Sequence, residues 1–265
     1  MSVLVLMYHG VDERPGPLFV SPSLFDAHLD VIAESGLPVL TMSEIARLAA
    51  EQRLPPRAVA LTFDDGFASV LEAAAPRIAK RGLCATVFCV AGHLGRTNQW
   101  PTNHPDAPPV PLSSAGELPT LAAAGFEIGA HGMYHTPLGT EDRQEIHREI
   151  FEARSVLEQA AGRAIQSFAY PYGALPSRAA DEAVRQAYTS ACTTRIGRVT
   201  AAADLVMGKW FEETLPDRTY SSADEVMSAL GWETAANADN GEKPAPAHSK
   251  SNKASSSAKH TTPAQ

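Results

Sequence analysis

The chain has 265 residues, 44% of them hydrophobic, enough for one large α/β domain or two small ones. Its formal net charge of −8 excludes the basic footprint of a nucleic-acid-binding protein. No stretch reaches the roughly 18–20 apolar residues that span a bilayer. The three cysteines (Cys84, Cys89, Cys192) form no CxxC pair and read as reduced, mostly buried thiols.

In chain order, the first apolar run, residues 2–8, reads as a β-strand. It has no basic flank and no small-residue cleavage site, so the expected address is cytoplasmic, or exported if a signal has been trimmed. Further strand-like runs fall at 58–63, 85–90, 126–130, 166–170 and 189–193. Helical patterns with ordinary start and stop signals lie at 24–35, 67–80, 113–124, 141–161 and 178–187. Alternating strand and helix implies a mainly parallel sheet with helices outside, open or closed into a barrel. Residues 95–112, with Trp100, His104 and several prolines, read as a long loop that either lines a groove or makes a surface excursion. A folded unit over 1–232 is expected, followed by a polar, disordered tail over 233–265.

In such folds functional groups gather at the C-terminal ends of strands. His9, Asp64, Asp65, His131 and Tyr172 all lie at or just past a strand end. Leu61-Thr62-Phe63-Asp64-Asp65-Gly66 closes an apolar strand with two carboxylates. Neighbours on a strand point to opposite faces, so the backbone must turn for both to share a site, and Gly66 permits that turn. His131-Gly132-Met133-Tyr134-His135 follows another strand, and its i, i+4 histidines fit one face of a helical turn. Alone, an Asp-Asp-Gly reads as a strand-to-helix turn, and a His pair as polar structure. Together, one Asp and two His form a three-ligand set for a divalent metal with an open position for water, leaving a second carboxylate as a base.

These residues resemble the polysaccharide deacetylases of the NodB-homology group, carbohydrate esterase family 4. The Thr-Phe-Asp-Asp-Gly and His-x-x-x-His motifs match, and Ala169-Tyr170-Pro171-Tyr172-Gly173 stands where the family has Arg-x-Pro, an aromatic and Gly. The resemblance covers roughly residues 1–215 and implies a distorted, incomplete (β/α) barrel. It implies that Asp65, His131 and His135 bind a divalent metal, commonly Zn2+ with Co2+ or Ni2+ as options, and that Asp64 is the general base. Water would attack an N-acetyl carbonyl, with the oxyanion held by the metal and the backbone N–H of Tyr172. The products would be a free amino sugar and acetate.

The chain departs from the family in two places. Ala169 replaces the arginine that orients the base, and the late Leu-x-His motif that supplies the acid is missing; His248 and His260 lie in the polar tail. Met7-Tyr8-His9-Gly10-Val11 resembles the N-terminal segment of poly-N-acetylglucosamine deacetylases, a branch with circularly permuted motif order and an early His as acid. Phe168-Ala169-Tyr170-Pro171-Tyr172-Gly173 also matches that branch. His9 is therefore assigned as the general acid, with Asp12 as an orienting partner. Trp100, Tyr134 and Pro171 are expected to contact the sugar, with His93 and His104 as weaker contacts. Met207-Gly208-Lys209-Trp210 is divergent from the branch. Two other readings stay open: a hydrolase of cyclic amides or imides on the same scaffold, and a non-catalytic carbohydrate-binding relative.

Overall fold

The computed structural model describes residues 2–103 and 108–193, together with the backbone of 206–208 and 210–211. The expected tail, the boundary at residue 232, His104, His248 and His260 lie outside the described residues. The chain begins with β1 (Ser2–Tyr8), followed by the short parallel pair β2 (Gly10–Val11) and β3 (Phe19–Val20). Helices α1 (Pro22–Glu34) and α2 (Met42–Ala50) precede β4 (Arg57–Phe63). Then come α3 (Ala75–Lys80), β5 (Ala85–Cys89), α4 (Leu118–Ala123) and β6 (Phe126–Ala130). Next are α5 (Arg143–His147), α6 (Ala153–Ala161), β7 (Ser167–Ala169) and α7 (Arg178–Ala187). The last are β8 (Ser190–Thr193), β9 (Val206–Gly208) and β10 (Trp210–Phe211).

One sheet runs β10-β1-β4-β5-β6-β7-β8-β9, and all its pairings are parallel. β9 and β10 are separated by a single residue, yet β9 pairs with β8 and β10 with β1. The sheet therefore curls until this one segment meets both edges. Counting β9 and β10 as one position, its eight strands occupy seven positions among the described residues, short of the eight of a complete (β/α) barrel.

The period of two sorts each strand between two apolar layers. Leu4, Leu6 and Tyr8 of β1, Val59, Leu61 and Phe63 of β4, and Phe126 and Ile128 of β6 face the helices. Val3, Val5, Ala58, Ala60, Phe88, Ala169 and Cys192 fill the interior. Phe25, Phe63 and Phe126 are essentially fully buried in the outer layer, and each such ring stabilises the fold by about 1.5–3 kcal/mol. The three cysteines are free; burial pushes the Cys89 thiol up to about 12 and Cys84 up to about 11.

Helix α2 is absent from the sequence-based reading, although Thr41 and Glu44 carry its capping box. It plugs the N-terminal mouth of the barrel. Met42 N donates to Thr86 Oγ1 (3.1 Å), Ser43 N donates to Glu127 Oε2 (3.0 Å), and Met42 and Ile45 join the interior layer. The expected helix over 67–80 splits into a π turn, Val70–Ala74, and α3. Pro76 explains the wider turn, because it has no N–H and its ring collides with the carbonyl four residues back. The expected helix over 141–161 starts at the N-cap Asp142, passes through a π turn, Arg148–Glu152, and ends at Gly162 with φ +65°.

Candidate active site

The inward row of β4 continues past the strand to Asp64, whose N–H donates to Tyr8 O (2.9 Å) and extends the pairing with β1. The next side chain would point outward. Instead Asp65 takes φ +69° and Gly66 φ +74°, so the turn expected at Gly66 begins one residue earlier. A Cβ on Gly66 would stand 3.0 Å from Cys89 Sγ and 3.2 Å from Cys89 Cα. Glycine is thus required there by both conformation and space. Both carboxyl groups are about 5% exposed.

His131 continues the inward row of β6, but residues 131–135 form no helix. This corrects the expected helical turn. Gly132 has φ +81° and His135 φ +58°, and the N–H groups of Met133 and Tyr134 donate to Glu149 Oε2 at 2.8 and 3.0 Å. A tight non-helical turn, rather than helical periodicity, brings the two imidazoles together.

The three sequence-predicted ligands converge. His131 Nε2 lies 3.2 Å from His135 Nε2, and the two stand 3.5 and 3.3 Å from Asp65 Oδ1. Ligand atoms about 2.0–2.1 Å from a tetrahedral ion stand about 3.3–3.4 Å from one another, so the set fits such an ion. His131 Nδ1 lies 2.8 Å from Ala169 O, which directs its Nε2 lone pair into the cluster. Asp65 Oδ1 is buried and has no hydrogen-bond partner among the described residues, an arrangement that an ion would satisfy. Burial acts to raise the Asp65 carboxyl, but His135, His9 and His131 outweigh it and hold the group well below the usual carboxylate range. The donor set is thus two imidazoles and an ionised carboxylate, suited to zinc and similar divalent metals.

The surroundings revise several expectations. Trp100 is 5% exposed and packs on His135 with ring centroids 4.3 Å apart, so it forms a wall behind a ligand rather than an open stacking platform. The segments flanking it are held by the bridges Thr97↔Pro111 and Phe67↔Leu112, over a small core of Phe67, Val90, Val110 and Leu112. Pro171 is buried beneath the turn at residues 131–135, not presented to substrate. Tyr134 and Tyr172 are 40% and 48% exposed and form the open aromatic rim. Tyr172 has φ +58°, its ring lies 4.4 Å from that of His135, and its hydroxyl donates to Thr102 Oγ1 (2.9 Å). Thr102 in turn donates to His135 O (3.1 Å). Of the four non-glycine residues with positive φ among the described residues, three (Asp65, His135 and Tyr172) are in this site, where such strain tends to collect.

His9 is half-buried between β1 and β2, close enough for its charge to act on Asp65. Asp12 does not orient it: its carboxylate accepts from Arg14 N (3.0 Å) and pairs with Arg14 Nε (3.1 Å). His93 is buried, with Nδ1 3.2 Å from Thr97 O and its ring edge against Trp100. The Ala169 methyl lies in the apolar interior, so that position offers Asp64 no polar partner. Glu149 and Thr102 were missed at the sequence level, because neither belongs to a local motif.

Residues 51–191, more than half the chain, match the family model described as polysaccharide deacetylase. YxkH of Bacillus subtilis (strain 168), whose assigned name includes polysaccharide deacetylase, is 23% identical over 194 residues, covering 73% of this chain and 64% of that protein. The poly-beta-1,6-N-acetyl-D-glucosamine N-deacetylase of Staphylococcus aureus (strain MRSA252) is 24% identical over 163 residues, covering 58% of this chain and 53% of that protein. The chain thus spans between half and two thirds of the length of these relatives. Among solved structures, the Streptococcus pyogenes deacetylase PplD in complex with acetate superposes with a TM-score of 0.71 at 21% identity, covering 87% of this chain and 98% of that one. IcaB from Ammonifex degensii superposes with a TM-score of 0.63 at 26% identity, covering 73% and 84%.

Proposed function

The chain belongs to the polysaccharide deacetylase family, and on that premise we propose that it is a metal-dependent hydrolase that removes N-acetyl groups from an amino sugar, carried in an oligo- or polysaccharide or in an activated sugar precursor. The observation that carries this reading is the buried Asp65, His131 and His135 set, with ligand atoms 3.2–3.5 Å apart, beside a second buried carboxyl group, Asp64. These three residues would hold a divalent ion, zinc in the first instance, which would supply Lewis acidity and lower the pKa of water toward about 7.

The protein's own groups take the remaining roles. Asp64 accepts the proton of the attacking water. The N–H of Tyr172 donates to the oxygen that gains charge as the acetamide carbonyl becomes tetrahedral. His9, just past the C-terminal end of β1, the parallel neighbour of β4, returns a proton to the leaving amine as the C–N bond breaks, so acetate and the free amino sugar depart. Tyr134 and Tyr172 offer exposed aromatic faces to the sugar ring.

The test is bound-metal content followed by acetate release from chitooligosaccharides, poly-N-acetylglucosamine and nucleotide-linked acetamido sugars, with Asp64→Asn as control. Acetate release by the wild type and none by the control supports the reading. Metal bound with no acetate from any of them overturns it in favour of a cyclic amide substrate or a non-catalytic binding role.

A further inference from the structure

Glu149 sits in the helical run Arg143–Ala161, outside the metal-ligand set, yet it is fully buried. A carboxyl group removed from water is costly unless its oxygens are hydrogen-bonded. Oε2 accepts from Met133 N (2.8 Å) and Tyr134 N (3.0 Å), which lie between the two histidine ligands. Oε1 is buried with no hydrogen-bond partner among the described residues. Its neighbour across the turn is Gly132, where a Cβ would stand 2.7 Å from Oε2 and φ is +81°. The helix widens into a π turn at Arg148–Glu152, the segment from which Glu149 projects. Such turns are frequent at functional sites.

We propose that Glu149 is a positioning residue for the metal ligands: its carboxyl group gathers the N–H groups of Met133 and Tyr134 and so folds residues 131–135 into the turn that aims both imidazoles at Asp65. Five residues with histidines at i and i+4 have an obvious alternative, a helical turn. The backbone here rejects that alternative at Gly132 and His135, both in the left-handed region. An interior acceptor is what makes the strained turn preferable, because without it the buried Met133 N–H and the part-buried Tyr134 N–H would lose their partner. This inference rests on the proposed metal site.

The test titrates Zn2+ into the full chain by calorimetry, comparing wild type, Glu149→Gln and Glu149→Met. Glutamine keeps a carbonyl acceptor, so its affinity is expected within about threefold of wild type, whereas methionine, of similar length without an acceptor, loses about 10–100-fold with its circular dichroism spectrum unchanged. A folded Glu149→Met protein that binds Zn2+ like wild type overturns the proposal, as does Glu149→Gln binding as weakly as Glu149→Met. If Glu149→Met does not fold, amide hydrogen exchange of the metal-free wild type decides. Protection of the Met133 and Tyr134 amides comparable to that of the barrel strands supports the proposal, and exchange at the rate of an open loop overturns it. A wild type that binds no Zn2+ defeats the metal reading itself, and the exchange measurement still decides whether Glu149 holds the turn.

Discussion

His131 Nδ1 lies 2.8 Å from the backbone carbonyl oxygen of Ala169, so the position that departs from the family pattern orients a candidate metal ligand through its main chain. A main-chain contact is indifferent to the side chain. Ala169→Gly is therefore expected to bind metal within about threefold of wild type, whereas His131→Ala, which removes a ligand, loses at least the roughly 10–100-fold that follows loss of an orienting partner. Zn2+ titration calorimetry on both variants is the check. A large affinity loss in Ala169→Gly would mean that the methyl, packed in the barrel interior, does the orienting instead.

Asp64→Asn is expected to keep the metal and the fold while lowering turnover by about 10²–10⁴-fold, the usual contribution of a positioned base. His9→Ala is expected to keep the metal too, but with a different signature. A general acid works protonated, so its removal should erase the fall in kcat at high pH while lowering the plateau. Steady-state rates of acetate release across pH separate the two residues, and an unchanged alkaline limb in His9→Ala would remove His9 from the acid role.

Trp100 is buried against His135, so truncating it opens a cavity beside a candidate metal ligand. Trp100→Ala is expected to lose about 3–5 kcal/mol of stability and to weaken metal binding. Trp100→Phe should retain most of both. Urea unfolding and metal titration distinguish this wall from an exposed sugar platform, whose loss would raise KM and leave stability unchanged.

His28, on α1, is half-buried with Nδ1 3.2 Å from the Tyr8 hydroxyl, and burial lowers its pKa from 6.5 to about 4. The unfolded chain therefore binds a proton between those values that the folded protein rejects. Its contribution to stability is complete above pH 6.5 and is lost as the pH falls toward 4. The full shift corresponds to at most about 3 kcal/mol, reduced because the ring is partly open to water. His28→Gln, which keeps a hydrogen-bonding partner for Tyr8, should flatten the stability profile in that window in pH-dependent urea melts. An unchanged slope would show that other groups govern acid sensitivity.

The donor set was legible from residues alone because its signals are local. Asp64-Asp65-Gly66 and the His131–His135 spacing each lie within a few residues, and each follows an apolar run of strand length. Alternation of strands and helices was equally legible, since periodicity is a property of the chain. Several features were decided only by tertiary structure. Which way residues 131–135 turn depends on Glu149, more than a dozen residues further on and without a motif of its own. The role of Trp100 depends on whether its loop folds against His135 or away from it. The position of α2 depends on the open mouth of a curled sheet, which exists only when β1, β4, β5 and β6 lie side by side. Sequence thus determined which groups were available for metal chemistry. Burial and main-chain hydrogen bonding, which arise only when distant segments pack together, decided how those groups are aimed.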